Sequence, residues 1–266
     1  MKRIFSLLAV MAFALGATAQ QAHQVLCVGN NKLMVFANDG KVQWEMPWPG
    51  GTHDLWLLTN GNYLAVRDAK VVVEIDPATK KDVWSYNAAA NNGNAGKPIE
   101  IHAIQPLADG NLMIAESGPG RIIEIDRQGK LLKEIKLKVD HPSTHRDTRL
   151  ARKLENNGHY LVCHEGDGVI REYDGDGKVV WEFEVPLFGQ QRADGHGPEA
   201  FGNQAFSALR LPNGNTLIGT GNGHSILEVT PDKNIAWQLR QKDLPGITLA
   251  WVTTLSVLPN NHIVFG

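Results

Sequence analysis

The sequence predicts an all-β fold, a β-propeller of four-stranded blades, and two observations carry this prediction. Hairpin turns recur along the chain with a period close to fifty residues, and a strand–turn–strand landmark follows each of them. No helical periodicity follows the N-terminal segment. Four strands repeated at this period are typical of propeller blades, which surround a central channel. A β-sandwich, the competing all-β fold, does not predict such a period.

The N-terminal segment has the pattern of an export signal. A short basic start, MKR, is followed by an apolar run and by the small-residue triplet ATA, which ends at residue 19. This pattern predicts a secretory signal peptide over 1–19, which is too short and wrongly flanked for a membrane anchor. We therefore expect a propeller domain over 20–266 with no transmembrane segment, exported to the periplasm or the cell surface of a bacterium.

The hairpin turns define the repeat. Each turn lies between two apolar strand-like runs, and the turn residues are Gly61, Gly110, Gly158, Gly214 and, in the equivalent place, Asn261. The steps between them are 49, 48, 56 and 47 residues. Asn-Gly or Asp-Gly between apolar runs predicts a tight primed turn, because these residues accept a positive φ.

The second landmark reads VVVEIDPATKKDVWSY in one unit and VIREYDGDGKVVWEF in another. One register of its last strand holds a tryptophan in four units (Trp44, Trp84, Trp181 and Trp237) and Lys133 in a fifth. Because these tryptophans follow the repeat, we expect them to pack between blades.

Together the landmarks predict one partial blade (24–46), four full blades (53–87, 101–137, 149–185 and 206–240) and one half blade (251–266). A propeller removes its exposed sheet edges by combining strands from both ends of the chain in one blade. We therefore expect six blades, or alternatively seven, in the full protein, with a C-terminal blade that is truncated in this sequence.

Charge and cysteine content limit the classes of partner. The chain has 26 basic and 28 acidic residues, a formal charge of −2, and its basic residues cluster only in RDTRLARK. We therefore expect no nucleic-acid partner, and we expect a monomer. Cys27 and Cys163 lie far apart in strand-like runs without a CxxC motif, which leaves both a disulfide and two buried thiols open.

Alignment on the leucine that precedes each turn residue, by three residues in four units and by four in the unit of Gly158, defines one rim position per unit. The residues at this position, which we call the rim position, are His53, His102, Arg149, Phe206 and Thr253. Residues near the end of the second strand should face the same mouth of the channel, and these include Arg67, Glu116, His164 and His224. Two long connections, 138–153 and 186–204, add His145, Arg152 and His196, because long loops in a compact domain are often functional.

Several chemistries suit this set of side chains. The catalytic candidates are His53, His102 and His145, because a histidine beside a carboxylate can act as a general acid and base. The remaining candidates suit an anionic or polyhydroxylated ligand, since arginine binds carboxylate or sulfate in a bidentate manner. Two or three histidines with Glu116 could bind a divalent metal ion, although no spacing motif assigns metal ligands. Alternatively, an inner-strand histidine only bonds the backbone of a neighbouring blade.

Two families share features of these repeats. The segments DGKVVWEF, LPNGNTLI and SILEVTPD resemble the repeats of propellers named after pyrroloquinoline quinone dehydrogenases. The segment HDLWLLTNGNYL at 53–64 is similar to repeats of bacterial arylsulfate sulfotransferases. The resemblance covers essentially the whole chain after the leader and implies a propeller fold.

The resemblance also bears on cofactors. Quinone dehydrogenases of that family stack their cofactor on a tryptophan and a disulfide of adjacent cysteines, beside a calcium ion. This chain has no adjacent cysteines, which argues against a quinone cofactor. The sulfotransferases accept sulfate on a histidine and hold it with further histidines and an arginine, and the residues that could supply such a set are His53, His102, His145, Arg149 and Arg152.

Three hypotheses of function follow. The first is a binding protein for a small molecule or carbohydrate at one mouth of the channel. The second is an enzyme, a sulfotransferase, lyase or hydrolase, that acts on anionic sugars or sulfate esters. The third is a protein-interaction scaffold, since non-enzymatic relatives include outer-membrane assembly scaffolds. The sequence contains no nucleophile motif, phosphate loop or HExxH, so enzymatic activity stays open.

Overall fold

The strands form antiparallel sheets that follow one another along the chain. The computed structural model describes residues 23–266, so the predicted signal peptide over 1–19 lies outside the described residues. Within each sheet the strands pair in chain order, as in a meander. The all-β propeller architecture is therefore confirmed.

The first sheet has three strands: β1 (Val25–Gly29), β2 (Lys32–Phe36) and β3 (Val42–Pro47). The second comprises β4 (Leu55–Leu57), β5 (Tyr63–Arg67), β6 (Val71–Asp76) and β7 (Lys81–Asn87). The third comprises β8 (Glu100–Pro106), β9 (Leu112–Ser117), β10 (Arg121–Ile125) and β11 (Leu131–Lys136).

The fourth sheet comprises β12 (Ala151–Lys153), β13 (Tyr160–His164), β14 (Val169–Tyr173) and β15 (Val179–Glu184). The fifth comprises β16 (Ser207–Arg210), β17 (Thr216–Gly219), β18 (Ser225–Val229) and β19 (Ile235–Arg240). The last sheet has only β20 (Leu255–Val257) and β21 (Ile263–Phe265). The helical segments of residues 23–266 are two single 3-10 turns, Ala88–Ala90 and Gln241–Asp243, and neither could cross a bilayer.

The predicted count of six or seven four-stranded blades is wrong. In the described part of the chain four sheets have four strands, the first sheet has three and the last has two. The count of six or seven assumed that strands outside this sequence complete the two terminal groups to four strands each. Neither terminal group of strands reaches four, which is why counting landmarks overestimated the number of blades.

The hairpin turns keep the predicted register but have a different geometry. In the turn at Gly61, Leu58 donates its N–H to Asn62 O (2.8 Å) and accepts the N–H of Gly61 (2.9 Å). Only the glycine has a positive φ, of 87°, whereas the type I′ turn that Asn-Gly favours would need two such residues. The turn is therefore a three-residue loop with a G1-type glycine, and the same pair of bonds recurs around Leu107, Leu211 and Leu258.

The innermost strands form the wall of the ring. The first strands of successive sheets contact one another in the order β4, β8, β12, β16 and β20. The core lies between neighbouring sheets, because the second strand of each four-stranded sheet is buried on both faces. Leu64 and Val72 of the second sheet, for example, pack with Ile101 and Ile114 of the third.

The repeated tryptophans link neighbouring sheets, as their register predicts. The indole N–H of Trp84 donates to Arg127 O in the last turn of the next sheet (2.7 Å). Trp44 and Trp181 donate in the same way to Pro77 O (2.8 Å) and Pro231 O (2.9 Å). Trp237 lacks an indole hydrogen-bond partner among residues 23–266 and is 42% exposed. These bonds explain why the tryptophans follow the repeat.

The two cysteines are free thiols, so they form no disulfide with each other. Cys163 is buried in β13, whereas Cys27 in β1 is partly exposed. Burial raises the pKa of both thiols, which keeps them protonated. Of the two alternatives left open by the sequence, the structure has the unpaired thiols.

Candidate functional site

Loops that lead into the first strands of three sheets bring polar side chains to one face of the ring. His53 precedes β4, Glu100 and His102 begin β8, and the connection before β12 supplies His145 and Arg149. We call these five residues the histidine cluster. It contains all three histidines that the sequence suggested as catalytic candidates.

His102 is the centre of the cluster. It is 1% exposed, and the His53 ring packs edge-on against it with 4.4 Å between ring centroids. The ring of His145 lies on another side, at 5.7 Å and perpendicular. His102 is the unpaired residue of a β-bulge, since Ile101 pairs with Glu116 and Ala103 with Ala115. A bulge reorients a side chain relative to a regular strand, which explains how this strand presents His102 to the cluster.

Hydrogen bonds determine which nitrogen of His102 carries the proton. Its Nδ1 lies 2.6 Å from Thr148 O, and because a carbonyl only accepts, Nδ1 is the donor. In the neutral imidazole the lone pair is then on Nε2. That atom lies 2.9 Å from Glu100 Oε2, so two acceptor atoms face each other. A proton or another cation is needed between them.

His145 contacts the same carboxylate oxygen. Its Nδ1 is 2.8 Å from Glu100 Oε2, and its Nε2 is 3.1 Å from Arg149 Nη2. Because the guanidinium only donates, Nε2 accepts and Nδ1–H donates to Glu100. The His145 side chain is 60% exposed, so it forms the outer wall of the cluster.

Arg149 is buried and fully engaged. Its Nε donates to Glu165, its Nη2 to His145, and its Nη1 lies 3.5 Å from His102 Nε2. The guanidinium also lies over the Phe206 ring, 4.7 Å from the centroid. Its charge is therefore paired with Glu165 and no face of it is open to solvent.

Burial and neighbouring charges determine the ionisation of the cluster. Burial, followed by the Arg149 charge, lowers the pKa of His102 to about 4. Crowding by protein atoms, then His102 and Arg149, lowers the pKa of His53, although its outer edge is exposed to solvent. Burial alone would raise the pKa of Glu100, but the hydrogen bond from His145 and the close approach of His102 outweigh it and lower the pKa.

A cavity opens beside His53. Its volume is about 220 Å³, and its walls include Thr52, Asp68 and Ala69. Among the described residues, the His53 nitrogens have no hydrogen-bond partner, so they are free to contact a molecule in or above this cavity. Pockets for drug-sized ligands have volumes of roughly 300–1,000 Å³, so this cavity suits something smaller.

Three other predicted ligand-binding residues lie in separate ion pairs. Arg152 bonds both carboxylate oxygens of Asp54 (2.7 and 3.0 Å). Arg67 makes a similar pair with Asp82 (2.5 and 3.0 Å). Glu116 accepts hydrogen bonds from Arg121 (2.6 Å) and Asn94 (3.0 Å) instead of joining the histidines.

The remaining predicted histidines also lie outside the cluster. His164 is buried between Asp147 O (2.7 Å) and the Tyr173 hydroxyl (2.8 Å). His224 is partly buried against Phe201, with 6.0 Å between ring centroids. His196 is exposed, and its carbonyl accepts the indole N–H of Trp251.

Sequence reasoning missed Glu100, the carboxylate that joins two of the histidines. Its only signal is its place two residues before the rim histidine, in IEIH. It also missed that a glutamate of the third strand accepts bonds from the turn asparagines. Glu74 accepts from Asn60 (3.0 Å) and Asn62 (2.7 Å), which makes this acidic position part of the scaffold.

A family model described as outer membrane protein assembly factor BamB, with PQQ-like repeats, matches residues 30–263. The chain belongs to this family. The resemblance to quinone-dehydrogenase-type repeats is thereby confirmed at the level of the repeat. No curated protein matches the sequence.

Several solved structures share the fold. A protein of unknown function from Bacteroides caccae is 21% identical with a TM-score of 0.71, covering 91% of this chain and 81% of that one. Virginiamycin B lyase from Staphylococcus aureus is 15% identical with a TM-score of 0.54, covering 89% and 77%. The WD40 β-propeller domain of Doa1 is 14% identical with a TM-score of 0.59, covering 89% and 69%. At these identities the likeness shows the fold alone.

Proposed function

We propose that this propeller binds a small hydroxylated molecule, such as a monosaccharide unit, at the histidine cluster. The observation that carries the proposal is the convergence of three imidazoles, of which His53 and His145 are exposed and His53 lines a cavity. A neutral imidazole offers one donor and one acceptor, and a hydroxyl group matches both. His53 is the contact we assign first, because its nitrogens have no partner among residues 23–266.

The charge of the cluster favours a neutral ligand over an anion. Arg149 contributes one positive charge, whereas Glu100 and Glu165 contribute two negative ones, and Asp68 adds another at the wall of the cavity. Because the pKa values of His53 and His102 are lowered, these two histidines do not reverse this balance at neutral pH. A sulfate ester or a uronate would meet net negative charge.

The hydrogen bonds that Arg149 already makes also favour a neutral ligand over an anion. Bidentate binding of a carboxylate or a sulfate needs two free N–H groups of one guanidinium. Arg149 uses its Nε and Nη2 within the cluster, and Phe206 covers its face. We therefore place binding of a neutral ligand ahead of an enzyme that acts on sulfate esters or anionic sugars.

The test is calorimetric titration of the protein with neutral monosaccharides and with their sulfated and uronic counterparts. We expect the neutral sugars to bind more tightly and H53A to weaken that binding at least tenfold. The matched control is H159A, because His159 also contacts a carboxylate, Glu172, but lies at a hairpin turn. Preference for the anionic sugars, or unchanged binding by H53A, would contradict the proposal.

A protein-binding role, which the description of the family suggests, would use another surface. A cavity of about 350 Å³ lies at the hairpin ends of the third and fourth sheets, with Pro106, Leu107 and Leu154 in its walls. Its walls also include Asp109, Lys153 and Glu155, and an apolar patch with a polar rim is the usual composition of a protein-binding surface. H53A would leave such binding unchanged, which separates the two roles.

We also propose export of the chain, on the leader pattern over 1–19. Expression in a bacterium followed by fractionation and N-terminal sequencing tests this. We expect a protein in the periplasm or at the cell surface that begins near Gln20. Retention of the uncleaved leader in the cytoplasm would contradict it.

A further inference from the structure

We infer that Glu100, His102 and His145 bind a divalent transition-metal ion such as Zn²⁺. The carboxylate oxygen of Glu100 and one nitrogen of each imidazole all lie within 4.8 Å of one another. Two histidines and one glutamate are a donor set found in catalytic zinc sites, where solvent or substrate completes the coordination. The inference does not depend on the proposed sugar binding, which rests on His53.

The first argument is that two hydrogen-bond acceptors, His102 Nε2 and Glu100 Oε2, face each other. The bond from His102 Nδ1 to Thr148 O leaves the lone pair on Nε2, which lies 2.9 Å from Glu100 Oε2. Two atoms bound to one tetrahedral zinc ion at about 2.0–2.2 Å lie about 3.4 Å apart. The observed 2.9 Å is shorter than this separation by about half an ångström, so the two side chains must separate slightly to bind one ion. A shared proton also fits this pair, and the experiment below distinguishes the two.

The second argument is the third donor. His145 Nδ1 lies 2.8 Å from the same oxygen, Glu100 Oε2, so three potential ligand atoms converge at one point. The exposed side of His145 leaves a path for the ion and an open coordination position.

The third argument is the support around the ligands. A histidine that binds a metal ion usually donates its other N–H to a carbonyl or a carboxylate, as His102 does to Thr148 O. Arg149 is adjacent, but Glu165 pairs with it, and Glu100 then leaves a net negative charge for a cation. Binding through His145 Nδ1 shifts its proton to Nε2, so the contact between Nε2 and Arg149 must open. The exposure of His145 permits that movement.

The experiment is calorimetric titration of ZnCl₂ into chain 20–266, prepared without a histidine tag and stripped with EDTA. We expect about one ion per chain, with affinity lowered at least tenfold in E100Q and in H145A. H159A is the matched control, because it removes an imidazole that contacts a carboxylate without a second imidazole beside it. Urea unfolding of each variant in EDTA verifies that the fold is retained.

Three outcomes would overturn the inference. The first is the absence of saturable zinc binding, which would assign the contact to a shared proton. The second is wild-type zinc affinity in both E100Q and H145A. The third is an equal loss of zinc affinity in H159A. Failure of zinc binding leaves the sugar proposal standing, because H53A reports on the sugar and keeps all three metal ligands. Conversely, loss of sugar binding in H53A with retained zinc binding identifies His53 as a sugar contact only.

Discussion

At the residue scale, burial determines the charge of His164. The side chain is completely buried in β13, where its Nδ1–H donates to Asp147 O and its Nε2 accepts from the Tyr173 hydroxyl. Both nitrogens of the neutral imidazole are therefore satisfied. Burial, followed by the Arg171 charge, lowers the pKa of His164 to about 4.

This shift predicts a pH dependence of stability. Between the ordinary histidine pKa of about 6.5 and the folded value, the unfolded chain binds a proton that the folded chain does not, so the free energy of unfolding falls as the pH falls through this window. The residue contributes up to roughly 3 kcal/mol to this loss. Urea unfolding between pH 7 and pH 4 measures it.

H164Q isolates this contribution, because an amide can donate and accept at the same positions. We expect the free energy of unfolding of H164Q to fall less steeply than that of the wild type as the pH falls. The difference in slope should correspond to at most one proton taken up on unfolding. H262A, which changes an exposed turn histidine, should keep the wild-type slope. An H164Q slope equal to that of the wild type would show that folding does not lower the pKa of His164.

At the scale of the element, the tryptophans link each sheet to the next. W84F removes the hydrogen bond to Arg127 O and keeps most of the apolar contact. A buried bond of this kind contributes about 1 kcal/mol, so we expect the free energy of unfolding to fall by about that amount. W237F is the control, since its indole lacks a partner among the described residues, and it should change stability by less than about 0.5 kcal/mol. Equal effects would contradict a linking role.

A carboxylate also joins three sheets. Asp54, before β4, accepts the N–H of Ile104 in β8 (3.0 Å) and both N–H groups of Arg152 in β12. D54N leaves the arginine charge poorly compensated in a mostly buried place, and breaking such a pair costs about 3 kcal/mol. D82N is the matched control, because the Arg67–Asp82 pair has similar geometry but is more exposed, and it should cost below about 1 kcal/mol. Denaturant unfolding of both variants provides the measurement.

At the scale of the whole molecule, one glycine attaches the last sheet to the ring. Gly221 exchanges two backbone hydrogen bonds with Val252 (3.1 and 3.0 Å). It has a φ of 57°, and a Cβ there would lie 2.1 Å from Gln204 O. G221A must therefore displace backbone, and we expect a loss of more than about 2 kcal/mol together with faster hydrogen exchange over 251–265.

G214A controls for backbone strain in that experiment. Gly214 also has a positive φ, 87°, but a Cβ there meets nothing closer than 3.8 Å. It should cost about 1 kcal/mol and leave exchange over 251–265 unchanged. If G214A is as damaging as G221A, strain alone accounts for the effect and the close approach to Gln204 does not matter.

The all-β propeller architecture was predictable, because each turn glycine and each tryptophan reports on its own short hairpin. The rim register at His53, His102 and Arg149 was predictable for the same reason. The blade count was not, since it depends on strand pairing at the ends of the chain. The prediction of primed turns failed because Asn-Gly also suits the three-residue loop observed at Gly61.

Membership of the histidine cluster was only partly predictable. His102 enters it through a β-bulge, and a bulge leaves no periodic trace in the sequence. His145 enters through the conformation of a long connection, which depends on contacts such as the Asp167 carboxylate with the His141 N–H. Glu116 stays outside because Arg121 and Asn94 satisfy it first. Long-range pairing of this kind is not encoded in local spacing.

The rim positions have a consequence for protein engineering and for evolution. Phe206 and Thr253 occupy in their sheets the place that His53 and His102 occupy in theirs, above the same kind of turn. Apart from the bulge at His102, the scaffold below these positions is thus similar, while the side chain at the position differs from sheet to sheet. A few substitutions at the rim positions can therefore change ligand specificity without changing the turn and strand residues that determine the fold. The same repeats can in this way serve many unrelated ligands.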